Sequence, residues 1–202
     1  MTKLAKARKT TSAYFTQPIV KLLARTPVTP NTLTWLGFWI TAGAAVLVVT
    51  GNLFAAGFVV LVAGFFDMLD GALARTTNRV TRFGSVLDST LDRLSEAVLL
   101  LGILVIYARE QQVAESLLVG AALFGSLIVS YIKARMEALG IECKAGLFTR
   151  PERVIILALG LLLSHFDYAL VVALAIITAF SFFTAGQRLI YAWRETRGSK
   201  GN

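Results

Sequence analysis

Cysteine and histidine each occur once in the 202 residues. A lone Cys143 excludes an intramolecular disulfide and a cysteine zinc cluster, and its thiol is given no role. The one histidine, His165, lies beside a turn remote from the acidic motif described below and reads as an interfacial residue. No uninterrupted apolar stretch follows the early N-terminal charges, so a secretory signal peptide is not expected. Nor is there a polar stretch long enough for a separate soluble domain. What fills the chain is apolar: 56% of residues are hydrophobic, where a soluble domain averages roughly 45–50%. The mean hydropathy of +0.69 points the same way, to an integral membrane protein with one membrane domain. The net charge of +8 suits an anionic lipid surface rather than nucleic acid, because the basic residues cluster beside apolar segments.

In chain order, residues 1–29 interleave Lys3, Lys6, Arg8, Lys9, Lys21 and Arg25 with apolar positions such as Tyr14, Phe15, Ile19, Val20 and Leu23. This predicts an amphipathic juxtamembrane helix on the inner face of the bilayer. Residues 30–202 then form the membrane domain. Pro27 to Asn31 is a turn that starts a helix, and Gly51-Asn52 is a tight turn. Apolar segments fall at about 32–50, 53–74, 84–108, 114–139, 152–165 and 168–192. The expected fold is therefore all-α, with six transmembrane helices and the N-terminal amphipathic helix, matched to a bilayer about 30 Å thick. Of 20 Lys and Arg, only Arg109 falls in a loop on the side opposite the termini. The positive-inside rule then puts both termini and the acidic motif on the cytoplasmic side of the cell membrane.

That motif is the most informative part of the chain. Asp67, Asp70, Asp88 and Asp92 lie within otherwise apolar sequence. On helices, Asp67 and Asp70 share one face and Asp88 and Asp92 share another. Each ionised Asp near the bilayer centre costs roughly 2.5–3.5 kcal/mol, less at the interface. Two helices crossing with these faces opposed gather hard oxygen donors suited to Mg²⁺ or Mn²⁺. Two such cations can clamp a phosphoryl group under attack. Gly71 directly follows Asp70 and leaves room for close approach, and Gly84 stands near the start of the next helix, where free N–H groups suit a phosphate. Salt bridging and a cation-coupled transport path are the competing readings of such a cluster.

The spacing Asp67-x2-Asp70-Gly71-x2-Ala74-Arg75-x8-Gly84-x3-Asp88-x3-Asp92 resembles the signature of the CDP-alcohol phosphotransferases at every fixed position. The six-segment layout is similar to that family's over nearly the whole chain. The resemblance implies an enzyme that displaces CMP from a CDP-linked lipid with an alcohol, working as a homodimer with two divalent cations per active site. It implies that Asp67, Asp70, Asp88 and Asp92 hold the metals. Asp92 would also be the catalytic base, taking the proton of the attacking hydroxyl. Gly71, Arg75 and Thr81 match positions used for the CDP group, and Gly84 stands with them. Pro30-Asn31-Thr32-Leu33-Thr34 resembles the family's nucleotide-contacting segment, which makes Asn31, Thr32 and Thr34 binding candidates. Helix capping is an equally good reading of Asn31 and Thr32.

The family divides by acceptor. Asp88-Ser-Thr-Leu-Asp92-Arg93, Ser130-Tyr-Ile-Lys133-Ala-Arg135, Pro151-Glu-Arg153 and Gln187-Arg188 are similar to the actinobacterial phosphatidylinositol phosphate synthases. That likeness implies transfer of the phosphatidyl group of CDP-diacylglycerol to a phosphorylated polyol, inositol 1-phosphate. Its phosphate would be held by Lys133, Arg153 and Arg188, with Ser130 and Arg135 beside them. Charge alone supports such a site, because Arg grips a phosphate dianion through two N–H groups at once. The same residues also serve as positive-inside charges. A glycerol 3-phosphate acceptor and, outside the enzyme class, a cation-coupled transporter are the alternatives.

Overall fold

The computed structural model describes residues 17–143 and 145–198. A short helix, α1, covers residues 17–23. Six longer ones follow: α2 Pro30–Val49, α3 Leu53–Thr76, α4 Arg82–Arg109, α5 Val113–Ala138, α6 Arg150–Leu162 and α7 Ala169–Gly198. Except that α7 runs six residues past its expected end at 192, the positions agree with the sequence expectation to within about three residues. Their role in the bilayer does not.

Four of the described helices are long and apolar enough to cross a membrane: α2, α3, α5 and, over Ala169–Arg197, α7. Six transmembrane helices, as expected from the sequence, is therefore incorrect. α4 has the length but carries Arg82, Asp88, Asp92, Arg93 and Glu96 among its first 15 residues. α6 has only 13 residues, about 20 Å of helix where the hydrocarbon layer is about 30 Å thick. Both pack among the apolar helices. The amphipathic helix expected over 1–29 lies partly outside the described residues. In its described part, Val20 is buried against Leu33, Leu69 and Leu73, so α1 docks on α2 and α3.

Local chemistry sets where the helices begin. Thr29 caps α2 by accepting a hydrogen bond from Thr32 N, with Pro30 at the first position, where its missing N–H costs nothing. Thr81 caps α4 through Gly84 N at 2.9 Å. α6 opens on a capping box, in which the Glu152 carboxylate reaches back to Thr149 N at 2.9 Å. This start places Arg150 and Arg153 one turn apart on the same face.

α2 packs against α3 and α4, α3 against α6, α4 against α5, and α7 against α5 and α6. The main core joins Ala44, Val48, Val60, Leu100, Ile103, Ala122, Leu161 and Leu174. Small residues let the backbones close up, as in other membrane bundles. At Gly57 of α3 a Cβ would meet Ala158 O, Leu162 N and Leu162 Cγ of α6, each at 2.9 Å. Two of those atoms are backbone and cannot step aside. The Gly57→Ala variant is therefore expected to lose about 1–3 kcal/mol of stability through overpacking. Thermal unfolding of the purified protein, followed by size exclusion, checks this. An unchanged midpoint would remove the α3–α6 contact as the reason for glycine here.

Candidate functional site

The end of α3 and the beginnings of α2, α4 and α6 meet at one end of the bundle. The carboxylates of Asp67, Asp70, Asp88 and Asp92 lie within electrostatic reach of one another there. Asp70 is 4% exposed. Its Oδ2 accepts a 2.7 Å hydrogen bond from Thr34 Oγ1 of α2. Asp67 and Asp92 share a single cation, since Arg150 Nη1 contacts Asp67 Oδ2 and Asp92 Oδ1. Arg150 is not among the residues singled out from the sequence. The signal was available in its spacing: Arg150 and Arg153 are three apart on α6, and they match Asp92 and Glu96, four apart on α4.

The second rung of that ladder is more deeply buried. Arg153 Nε and Nη2 donate to Glu96 Oε1 and Oε2 at 2.6 and 2.8 Å. The two residues are 2% and 8% exposed. Glu96 thus fixes the Arg153 guanidinium through one edge. Arg188 of α7 is held by carbonyls: Nη1 donates to Val129 O at 2.6 Å and Nε to Ala145 O at 3.3 Å. Gly146 sits so close that a Cβ would lie 2.8 Å from Arg188 Nε, and its φ of +121° is one that only glycine adopts readily.

Two cavities flank the carboxylates. The first, about 240 Å³, is lined by Asn31, Thr34, Asp70, Gly71, Arg75, Thr81, Gly84 and Asp88, with Arg79 and Ser85 beside them. The Arg75 guanidinium lies over Gly71, where a Cβ would come within 3.3 Å of its Nη1. Thr32 is not among the lining residues. It serves the α2 cap, with its hydroxyl 2.8 Å from that of Thr29. Thr29 does the capping, which leaves Asn31 facing the cavity. Gly84 is the third residue of α4, and its N–H is already taken by Thr81.

The second cavity, about 370 Å³, is lined by Asp88, Asp92, Glu96, Ser130, Lys133, Arg150, Arg153 and Arg188, among others. Arg135 is exposed and not part of this lining. Lys133 pairs on the surface with Glu137 at 3.6 Å. The two cavities share Asp88. Asp70 faces only the first and Asp92 only the second.

The donor set fits a hard divalent cation, since every candidate ligand is a carboxylate oxygen. Among the described residues, no three acidic, histidine or cysteine side chains already converge in metal-ligand geometry. The charge of Asp67 and Asp92 is balanced instead by Arg150.

Residues 27–185 match the family model described as CDP-alcohol phosphatidyltransferase. The chain is similar to the Mycobacterium tuberculosis phosphatidylinositol phosphate synthase, at 39% identity over 202 residues, covering 96% of this chain and 92% of the relative. It is similar to the archaetidylinositol phosphate synthase of Methanothermobacter thermautotrophicus, at 38% identity over 186 residues and 91% of both chains. Among solved structures, the M. tuberculosis synthase with CDP-DAG bound superposes with a TM-score of 0.82 at 38% identity, covering 90% of this chain and 94% of that one. The same synthase with manganese and citrate gives a TM-score of 0.81, covering 88% of each chain.

Glu96→Leu would leave Arg153 charged and unpaired, and the expected loss of stability is about 3–5 kcal/mol. The double variant Glu96→Leu/Arg153→Met removes both charges and should recover most of that loss. Melting temperatures of the three proteins test the pairing. A double variant no better than the single one would show that the two side chains act independently.

Proposed function

The chain belongs to the CDP-alcohol phosphatidyltransferase family, and on that premise we propose that its acceptor is inositol 1-phosphate and its product phosphatidylinositol phosphate. It is a membrane enzyme of phospholipid synthesis that depends on a divalent metal. The observation that carries the acceptor assignment is the second cavity, where Lys133, Arg153 and Arg188 meet beside Asp92. A neutral alcohol has no use for three cations in a half-enclosed cavity. A phosphate dianion does. The named relatives fit this reading, since their names share an inositol phosphate product while one is archaetidyl and the other phosphatidyl.

In this reading the first cavity takes the nucleotide end of CDP-diacylglycerol. Asn31 and Thr81 offer hydrogen-bonding groups, Gly71 leaves the approach open, and Arg75 supplies charge to the pyrophosphate. The acceptor sits in the second cavity with its phosphate against Lys133, Arg153 and Arg188 and a hydroxyl toward Asp92. That hydroxyl oxygen attacks the lipid-bearing phosphorus. A new phosphorus–oxygen bond forms, the bond to the CMP oxygen breaks, and the hydroxyl proton passes to the Asp92 carboxylate. CMP leaves with the bonding electron pair. Asp67, Asp70, Asp88 and Asp92 would hold the divalent cations, two per site. When bound, these neutralise charge developing on the pyrophosphate. The position of Asp92 on the acceptor side alone, and of Asp88 between the cavities, favours this division of roles. We place the site on the cytoplasmic face, in keeping with the crowding of Lys and Arg at this end of the chain's helices, and take the homodimer from the family resemblance alone.

CMP release by the purified protein with CDP-diacylglycerol and Mg²⁺ or Mn²⁺ tests this. The acceptors compared are inositol 1-phosphate, inositol, glycerol 3-phosphate and serine. Release with inositol 1-phosphate alone is expected. Preference for glycerol 3-phosphate would keep the chemistry and overturn the acceptor. Asp92→Asn should lower kcat by about 10²-fold or more, and full turnover in that folded variant would refute the base assignment. Arg188→Ala should chiefly raise the KM for the acceptor.

A further inference from the structure

Arg150 stands on a boundary. Its Nη1 bridges Asp67 and Asp92, yet the same residue lines the cavity that holds Lys133, Arg153 and Arg188. Those three cations have partners away from the metal motif: Glu137 for Lys133, Glu96 for Arg153, and two backbone carbonyls for Arg188. Arg150 is paired with two of the motif carboxylates themselves. Its Nε is buried with no hydrogen-bond partner. A guanidinium offers five N–H donors in a planar fork, and here that fork is incompletely used. The α6 capping box fixes where the Arg150 backbone sits, but the side chain above it is long enough to turn from one cavity wall to the other.

We propose that Arg150 is an exchangeable counter-ion: it neutralises Asp67 and Asp92 until a divalent cation takes those carboxylates, then turns into the neighbouring cavity as a ligand of the acceptor phosphate. The proposal rests on the acceptor reading above for its second half. A divalent cation and a guanidinium repel each other and compete for the same oxygens, so uptake of one displaces the other. A displaced guanidinium in a half-buried wall needs a new anion, and a phosphate accepts two of its N–H groups. Metal and acceptor phosphate are then thermodynamically linked through one side chain. Linkage is reciprocal, so each ligand tightens the binding of the other by the same factor. Arg150 is by this account a positioning residue in the metal-free protein and an acceptor ligand in the loaded one.

The test reads metal binding, not turnover. Mn²⁺ is titrated into the purified full-length protein and followed by electron paramagnetic resonance, with and without inositol 1-phosphate. Wild type, Arg150→Gln and Arg150→Lys are compared after each has been shown to elute as a single folded species. Arg150→Gln should bind Mn²⁺ alone on the order of tenfold more tightly than wild type, and inositol 1-phosphate should tighten Mn²⁺ binding several-fold in wild type but not in the variant. Arg150→Lys cannot bridge two carboxylates as a guanidinium does, so it too should bind Mn²⁺ alone more tightly than wild type. It carries the comparison should the glutamine variant fail to fold. Unchanged or weaker Mn²⁺ binding in the variants overturns the counter-ion role. Tighter binding with the phosphate effect intact overturns the exchange. Failure of the acceptor assignment shows elsewhere, as absent CMP release by wild type with inositol 1-phosphate, and leaves the Mn²⁺-only comparison unaffected.

Discussion

Two ion pairs between α4 and α6 organise this molecule. Asp92 and Glu96 on one helix face Arg150 and Arg153 on the other, rung against rung. Neither helix is apolar and long enough to cross a membrane by itself; α4 is held by α2 and α5, and α6 by α3 and α7, all four of which are. The charges that disqualify α4 as a free-standing span are neutralised by those that open α6. A buried pair of this kind contributes little over an apolar one, but breaking it exposes an unpaired charge to a medium that cannot solvate it. The arrangement thus serves position more than stability. Because Glu96 holds one edge of Arg153, the location of that guanidinium is set by an ion pair between two helices rather than by a mobile loop.

The same economy shows at Arg188 and Thr34. Arg188 is held by the carbonyls of Val129 and Ala145, and the close, left-handed backbone at Gly146 confines it. Thr34 uses its hydroxyl to satisfy Asp70, the most buried of the four motif carboxylates. In each case a neighbouring group fixes the geometry of a polar side chain that lines one of the two cavities. Preorganisation of this sort is what lets electrostatic interactions act strongly on a reacting phosphoryl group.

Much of this was legible beforehand because spacing on a helix is a geometric statement. Asp67/Asp70 and Asp88/Asp92 declared two faces, and the structure brings those faces together. Helix positions followed from apolar runs. Span count did not, for two physical reasons. A hydropathy run does not reveal that α6 stops after 13 residues, and it averages over the charged first half of α4. Asn31 and Thr32 each carried two readings, capping or binding; Thr29, just outside the motif, is the capping residue, and Thr32 joins that cap while Asn31 lines the cavity. Arg135 faces out although the neighbouring Lys133 lines the cavity, a matter of helix rotation that sequence neighbours cannot reveal. Arg150 was overlooked because a cation beside an apolar segment has a ready topological explanation. Only its register against Asp92 and Glu96 distinguishes it.

The Glu96–Arg153 pair has a consequence in time. Its members are 57 residues apart in the chain. Synthesis at roughly 5–20 residues per second separates their emergence by about 3–11 s. For that interval α4 carries acidic groups whose partners do not yet exist, while α2 and α3 are already available to receive it. Of its final neighbours, α4 has only α2 to pack against when it emerges, and the compensating charge arrives with α6. The order in which this protein assembles is thus written into the distance along the chain between two side chains that end up touching.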